Sequence, residues 1–491
     1  MNPQSLLLIL ASTGVVTIVA GFLEERFKHR NLSGYLAFAG TALAFALSFK
    51  LEPGTYNLAP GAPLPAAELR VDPLSKFLGA LFLAVFLAAI AHSFSYMREE
   101  GESGYYTLTV LMASGLVGAL FSNDLFTFFC FWELASVSGY ALVGYRWWYW
   151  EPAEAAFKYL LACTVGALTT LYAASLLYGV AGTTNLDALR TALSQVGGSR
   201  AFAAATALLI VGLGTTAAVV PFHTWLPDAH PAAPSPISAV LSGVVVNAPL
   251  YMLARLLLTV LPRETGVSYA LLALGSLSSI VGNAAALVQL DAKRFLAYST
   301  IANVGYMLVG LGACYRAEAA GAAGVAVDAL TGVFVQLVNH AVSKSLLFLC
   351  VGNAVRETGS RLFTSLEGYG RRMPATGALS LVALLNLAGI PPAAGYYGKA
   401  LITAGLAYNL QDPAALAALA ALEANFALAA GYYAYFAFRA FRERGRALRE
   451  APLSMLAPEA ALAAFVAASS VYPSLLVEGV RAGVKALLGS P

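Results

Sequence analysis

Five ionisable side chains stand where the surrounding letters offer them no water. Glu133 lies in LFTFFCFWELASVSGYALVG, nine residues past Asp124 and thirteen before Arg146. Lys344 lies in FVQLVNHAVSKSLLFLCVGNAV, one helical turn past His340. Lys399 is the only charged residue from Thr376 to Leu410, in GIPPAAGYYGKALITAG. Glu423 follows Asp412 by eleven residues in LAALEANFALAAGYYAYF. A charge at the bilayer centre costs roughly 2.5–3.5 kcal/mol on insertion scales, so it normally faces a hydrated path or a partner. Burial disfavours the charged form of an amine, so a desolvated lysine can exchange its proton with water. A file of His, Lys and Glu through a helix bundle therefore suits proton hopping.

Plainer roles stand beside that one. Lys344 has a stem long enough to snorkel toward a rim. Glu423 suits a helix-packing hydrogen bond, and His340 a bond to a neighbouring carbonyl. Lys158 follows Glu154 by one turn, which makes an interfacial ion pair. Depth leaves Glu133 and Lys399 the least room for such roles. Lys399 is far from either end of its span, so it is not expected to cap a helix, and a glutamate there would keep a titratable group.

The elements that must position these groups are membrane spans. Of 491 residues, 59% are hydrophobic and 11% charged, where soluble domains are about 25% charged. Apolar stretches of bilayer-spanning length recur along the chain. Fourteen are expected, near 4–23, 32–49, 75–96, 105–121, 125–144, 157–180, 201–222, 235–260, 268–290, 294–314, 325–351, 376–410, 414–438 and 457–479. The first is too long for a signal-peptide core and lacks a basic lead. The seventh runs into PFHTWLPDAHPAAPSP and the twelfth contains Pro391-Pro392, so both are expected to be broken. Paired broken helices in two halves of a transporter point to an ion path. The prolines at 221 and 391 lie 170 residues apart, compatible with a repeat of five helices, although no repeat shows letter by letter.

Charge sets the orientation. Alternate loops carry seventeen basic residues, among them Arg98, Arg146, Lys158, Lys293, Arg356 and Arg439; the opposite side, with both termini, carries ten, including Arg70, Arg255 and Arg316. The positive-inside rule places the first set in the cytoplasm and both termini outside, in a cell inner membrane. The 442–449 arginines fall in the cytoplasmic set. The four cysteines form no metal-ligand spacing and read as buried free thiols. No nucleotide loop or nucleophile triad is present, so no metal, cofactor or nucleic-acid partner is expected, nor an active site of the chain's own.

Certain stretches are specific enough to name a family. PFHTWLPDAHPAAPSPISAVLSG (221–243), LDAKRFLAYSTIANVGYMLVGLG (290–312), NHAVSKSLLFL (339–349) and GIPPAAGYYGK (389–399) resemble the antiporter-like membrane subunits. These are proton-translocating subunits of respiratory complex I, of membrane-bound energy-converting hydrogenases, and of Mrp sodium/proton antiporters. The stretches at 128–145 and 155–179 fit the same pattern, and the likeness covers roughly residues 70–440. The DAHPAAPSP wording looks closer to hydrogenase-type and archaeal-type members than to the longest complex I subunit.

The resemblance implies an all-α polytopic fold of about fourteen transmembrane helices, with two inverted five-helix repeats, each holding one broken helix. That divides the chain into helices 1–3 (1–100), a first repeat (101–265), a second repeat (266–440) and a last helix (441–491). It implies a non-redox subunit of a quinone-type or hydrogenase-type oxidoreductase complex, or an Mrp subunit, partnered by other membrane subunits and the bilayer. Protons are the expected ion, with sodium the other candidate. Carried over by position, Glu133 matches the glutamate of segment five, His340 and Lys344 the polar pair of segment eleven, and Lys399 the segment-twelve lysine that other branches replace by glutamate. Lys158, His223, His230 and Glu423 complete the expected proton path. Two family lysines are missing: Thr216 stands in segment seven and Asn247 in segment eight. Glu133 has thereby lost its usual partner. The first half either does not pump, which would make the chain partly a spacer, or uses waters held by Thr216, Asn247, His223 and His230.

Overall fold

The computed structural model describes residues 1–27, 31–58, 67–98, 104–196, 200–442 and 448–489. Lys28, Arg30, Arg444 and Arg446 of the basic-residue count lie outside them. Helices α1 (Pro3–Phe27), α2 (Leu32–Ser48) and α3 (Pro73–Tyr96) come first. A small antiparallel hairpin, β1 (Gly54–Asn57) and β2 (Glu68–Val71), joins the last two. The first repeat segment holds α4 (Tyr105–Phe121), α5 (Leu125–Val143), α6 (Trp150–Ala181), α7 (Leu186–Val196), α8 (Arg200–Thr216) and α9 (Leu226–Ala232). Its last span, 235–260, contains α10 (Ser235–Val240) and α11 (Ala248–Arg255), each followed by a π-helical turn. The second segment holds α12 (Thr265–Leu287), α13 (Ala292–Ala319), α14 (Ala323–Thr358), the short α15 (Phe363–Leu366) and α16 (Tyr369–Arg372), then α17 (Pro374–Ala388), α18 (Gly395–Ala407) and α19 (Pro413–Phe441). Helices α20 (Leu453–Val471) and α21 (Pro473–Leu488) close the chain.

Among the described residues, ten helices are long and apolar enough to cross a bilayer, and four shorter apolar helices accompany them. The expected breaks are present: α8 stops at Thr216 before α9, and α17 stops at Ala388 before α18. The last span differs from expectation. It ends at Val471, because Pro473 lacks the N–H that would continue the helix, and α21 starts there instead. Two elements went unforeseen. One is the hairpin; the other is α7, whose Leu186, Leu189 and Leu193 are buried while the opposite face is polar.

The two halves repeat each other in contacts rather than letters. Asp124 caps α5 by accepting from the Phe126 and Thr127 amides; Asp291 caps α13 by accepting from those of Lys293 and Arg294. Asp124 also forms a lone β-bridge with Asn185, after α6, and Asp291 with Leu362, after α14. The same helix pairs come to backbone contact in both halves. A Cβ on Gly115 of α4 would stand 2.6 Å from an α5 amide, and one on Gly275 of α12 2.7 Å from an α13 amide. Small residues let membrane helices approach this closely.

Loops gather into two clusters. In one, Arg255 donates to the Ser122 carbonyl (2.8 Å) and to Asn123 (2.7 Å), Asn123 to Asp187 (2.9 Å), and Asn185 to Glu68 (2.6 Å). In the other, Arg361 meets Glu151 (2.7 Å), Asp291 (3.1 Å) and the Pro231 carbonyl (2.6 Å). A fourteen-crossing path assigns these two sets to opposite faces, and the second is the face richer in basic residues.

Two cations counted with the loops are in fact buried. Arg255 holds the carbonyl that ends α4, and Lys293 donates to the Ala233 carbonyl that ends α9 (2.7 Å). Helix C-termini attract cations, which is why both leave the surface. Cys163, Cys314 and Cys350 are buried as expected; Cys130 is not, because it lies on the outward face of α5.

Candidate functional site

The site is organised by α14. Gln336, Asn339, His340, Ser343 and Lys344 recur at helical spacing on this helix and all are buried. Lys344 Nζ donates to the Leu296 carbonyl (3.0 Å) and to the Ser299 hydroxyl of α13, and lies 5.6 Å from the centre of the Tyr433 ring. No carboxylate is among these contacts. Lys344 does not snorkel: its head is bonded inside the bundle.

His340 and His230 extend the row. His340 Nδ1 lies 3.4 Å from the Asn247 side-chain nitrogen, which also donates to the Gly243 carbonyl (2.7 Å). His340 Nε2 and both ring nitrogens of His230 have no hydrogen-bond partner among the described residues. His230 stacks on Phe348 of α14 at 4.6 Å. Lys293 reaches the Ser238 hydroxyl (3.4 Å), and that hydroxyl donates to the His230 carbonyl (2.9 Å). Buried polar groups are normally satisfied, so free imidazole nitrogens at this depth mark positions for water or a moving proton.

At the second break, Lys399 occupies a role the sequence reading denied it. Its ammonium donates to the Leu387 (3.2 Å) and Ala388 (2.9 Å) carbonyls, which end α17. The break, not the end of the whole span, supplies these orphan acceptors. Phe426 and Tyr306 rings lie 5.0 and 5.8 Å away. The remaining freed groups are also held: Asn386 accepts from the Gly395 amide (2.7 Å) and donates to Ser343 (2.7 Å), while Asn339 donates to the Ala394 carbonyl (3.0 Å). At the first break, Val220 N donates to Ser278 (3.0 Å) and Trp225 to the Thr215 carbonyl (3.0 Å). Backbone breaks at membrane depth survive only with such partners.

The other expected residues fall into two groups. Glu423 lies on the outward face of α19 and accepts from Thr403 at 2.6 Å. Glu133 is half-buried, and its Oε1 has no partner among the described residues. Thr216 donates to the Leu213 carbonyl of its own helix (2.9 Å), so it makes no bond across to Glu133. His223 is half-buried within the first break. Lys158 is exposed, bonded to Glu154 (2.8 Å) and Asp228 (3.0 Å), with Arg294 on the same Asp228 (2.8 Å). That is the interfacial pair, enlarged to four groups.

The structure therefore joins Asn247 to the His340 and Lys344 row of α14, stacks His230 on Phe348 of the same helix, carries the polar stripe on to Lys399, and leaves Glu133, His223 and Lys158 apart. Sequence reading missed Lys293, Gln336, Asn339, Ser343 and Asn386. A buried 3.6-residue polar period in α14 was the available signal for three of them.

Two broken helices flanking a buried row of amines and imidazoles define a membrane protein of the antiporter-like class. The family described as "NADH:quinone oxidoreductase/Mrp antiporter, TM" matches residues 122–422, and the chain belongs to that family. The NADH-quinone oxidoreductase subunit N of Desulforudis audaxviator is 32% identical over 378 residues, 75% of this chain and 72% of that protein. The F(420)H(2) dehydrogenase subunit N of Methanosarcina mazei is 31% identical over 413 residues, 80% of each. A chain of the membrane-bound sulfane sulfur reductase, an archaeal respiratory membrane complex, superposes with a TM-score of 0.86 at 23% identity, covering 99% of this chain and 98% of its own. That last likeness is one of fold. The chain is thus a multi-pass, ion-translocating membrane subunit whose partners are other membrane subunits.

Proposed function

We propose that the chain carries protons for a redox-driven membrane complex, chiefly through its second repeat, residues 266–440, along His340, Lys344 and Lys399. The observation that carries this is the Lys399 ammonium seated on the free carbonyls of a broken helix and joined to α14 by a buried polar stripe. Half-helix ends of this kind hold sodium or protons in transporters. Here an amine already takes the two carbonyls a sodium ion would use, and the rest of the row offers nitrogens rather than an oxygen cage. That favours protons. The first repeat, residues 101–265, serves more as scaffold: Asn247 is turned to His340, and Glu133 has no ion pair among the described residues. The basic-loop face lies in the cytoplasm of a cell inner membrane, with both termini outside.

The test is proton uptake by the native complex reconstituted in vesicles and driven by its own electron donor. Lys399→Ala should lower the protons moved per electron pair at least twofold with subunit composition intact. A wild-type proton yield in that variant would leave the chain a spacer.

A further inference from the structure

A second buried acid–base pair sits on helices outside both repeats, where α3 and α20 meet α14. His92 and Glu459 are both fully buried, and His92 Nε2 stands 3.2 Å from Glu459 Oε1. Asn353 bridges them: its side-chain oxygen lies 2.9 Å from His92 Nε2 and its nitrogen donates to Glu459 Oε1 at 2.8 Å. The Cys350 thiol reaches the other carboxyl oxygen at 3.6 Å. His92 Nδ1 has no partner among the described residues.

The cluster has a way to water. Asn353 forms part of the wall of a cavity of about 600 Å³ whose rim carries Arg98, Arg356, Arg449, Glu357 and Glu450. From that rim, Glu450 accepts from Thr376 (2.6 Å), and Asn353 donates to the same hydroxyl (3.3 Å). His92 is four residues from the end of α3 and Glu459 six from the start of α20, so the pair lies about 6–9 Å inside the helix ends. Those ends lead into the loops of the basic face. The charged groups facing the cluster from this cavity are thus Glu357, Glu450 and the three rim arginines, and the Cys350 thiol lies against the carboxyl.

We propose that Glu459 and His92 form a proton-loading site that exchanges protons between this cavity and the polar row of α14. Burying a carboxylate beside an imidazole is expensive unless each partner is satisfied, and here His92 Nδ1 has no partner among the described residues. His92 Nε2 faces two acceptors, Asn353 Oδ1 and Glu459 Oε1, and so carries the ring proton, while Nδ1 offers its lone pair. A proton bound at Nδ1 makes the imidazolium; Nε2 then passes its proton to the Glu459 carboxylate, which releases it to cavity water, and the ring returns to its Nε2–H form. Asn353, which orients both, shares α14 with Lys344 nine residues away, about 13.5 Å along the axis.

The proposal rests on the proton-carrying reading above, so the test pairs variants of both sites in the reconstituted native complex. Glu459→Gln keeps the size and hydrogen bonds but cannot titrate; Glu459→Asp keeps titration. The expected result is a proton yield at least twofold lower in Glu459→Gln, with Glu459→Asp retaining more than half. A normal yield in Glu459→Gln alongside a reduced one in Lys399→Ala overturns this inference alone. Normal yields in both overturn the proton-carrying reading as well. Should Glu459→Gln fail to assemble, wild-type complex inhibited by dicyclohexylcarbodiimide decides, since that reagent couples to protonated buried carboxyls: mass spectrometry finding Glu459 modified supports the site, and finding it unmodified overturns it.

Discussion

Asp124 and Asp291 make the same contacts at opposite ends of the protein. Each caps the helix that follows it, each bridges the loop after the next long helix, and each takes a further bond from that loop. Asp124 accepts from Thr184 at 2.5 Å, and Asp291 meets Arg361 at 3.1 Å. The backbone agrees: Leu125 N donates to the Thr184 carbonyl, and Ala292 N to that of Arg361. One starts its helix from the face of the hairpin and the other from the basic face, so the two repeats are inverted.

Loss of either cap is expected to weaken the fold by a similar amount. Asp→Ala at an N-cap costs about 0.5–2 kcal/mol. Asp291→Ala should be the worse of the two, because it also frees the Arg361 side chain over the Pro231 carbonyl. Thermal unfolding of the detergent-solubilised complex checks this, and equal midpoints for wild type and both variants would contradict it.

The Lys399 contacts change what a glutamate there is expected to do. A carboxylate would face the Leu387 and Ala388 carbonyls oxygen to oxygen. Lys399→Glu should therefore assemble less well than Lys399→Ala, which leaves those acceptors unmet at about 1–3 kcal/mol. The yield of complete complex from membranes, compared between the two variants, is the readout.

Glu133→Gln should reduce proton yield less than Lys344→Ala does, since Glu133 Oε1 has no partner among the described residues and Thr216 bonds within its own helix. Thr216→Lys should restore sensitivity to Glu133 loss. Asn247→Lys, by contrast, would set an ammonium beside His340 and should lower the yield by itself. Proton yields of the single and paired variants decide.

Much of this was legible in the letters, and the exceptions have a common cause. Breaks at Pro221 and Pro391 could be placed because proline removes a backbone donor wherever it stands. Lys344 and Lys399 could be found because charge is rare in apolar runs. Lys293, Arg255 and the cap on α17 could not, because each depends on a helix end contributed from elsewhere in the chain. His92 and Glu459 were passed over for a related reason: one sits close to a loop in sequence and the other beside Pro458, so neither looks deep until α14 is packed between them. The repeat itself is written in bridges between segments about 60 to 70 residues apart, as from Asp124 to Asn185 and from Asp291 to Leu362, which no comparison of letters registers.

Orientation has a direct check. Ala320 follows the end of α13 on one face, and Glu357 lies exposed near the end of α14 on the other. In sealed cells, an impermeant thiol reagent should label Ala320→Cys and spare Glu357→Cys. The reverse pattern would turn the whole topology over.

The inverted caps carry a lesson about counting. A unit of five crossings ends on the side opposite to where it began, so a second copy fused behind it is turned upside down with no further instruction. Parity alone builds a molecule with one broken helix addressed to each compartment. The same arithmetic makes it brittle: gaining or losing one crossing in the first unit would send everything after it to the wrong side, Lys399 included.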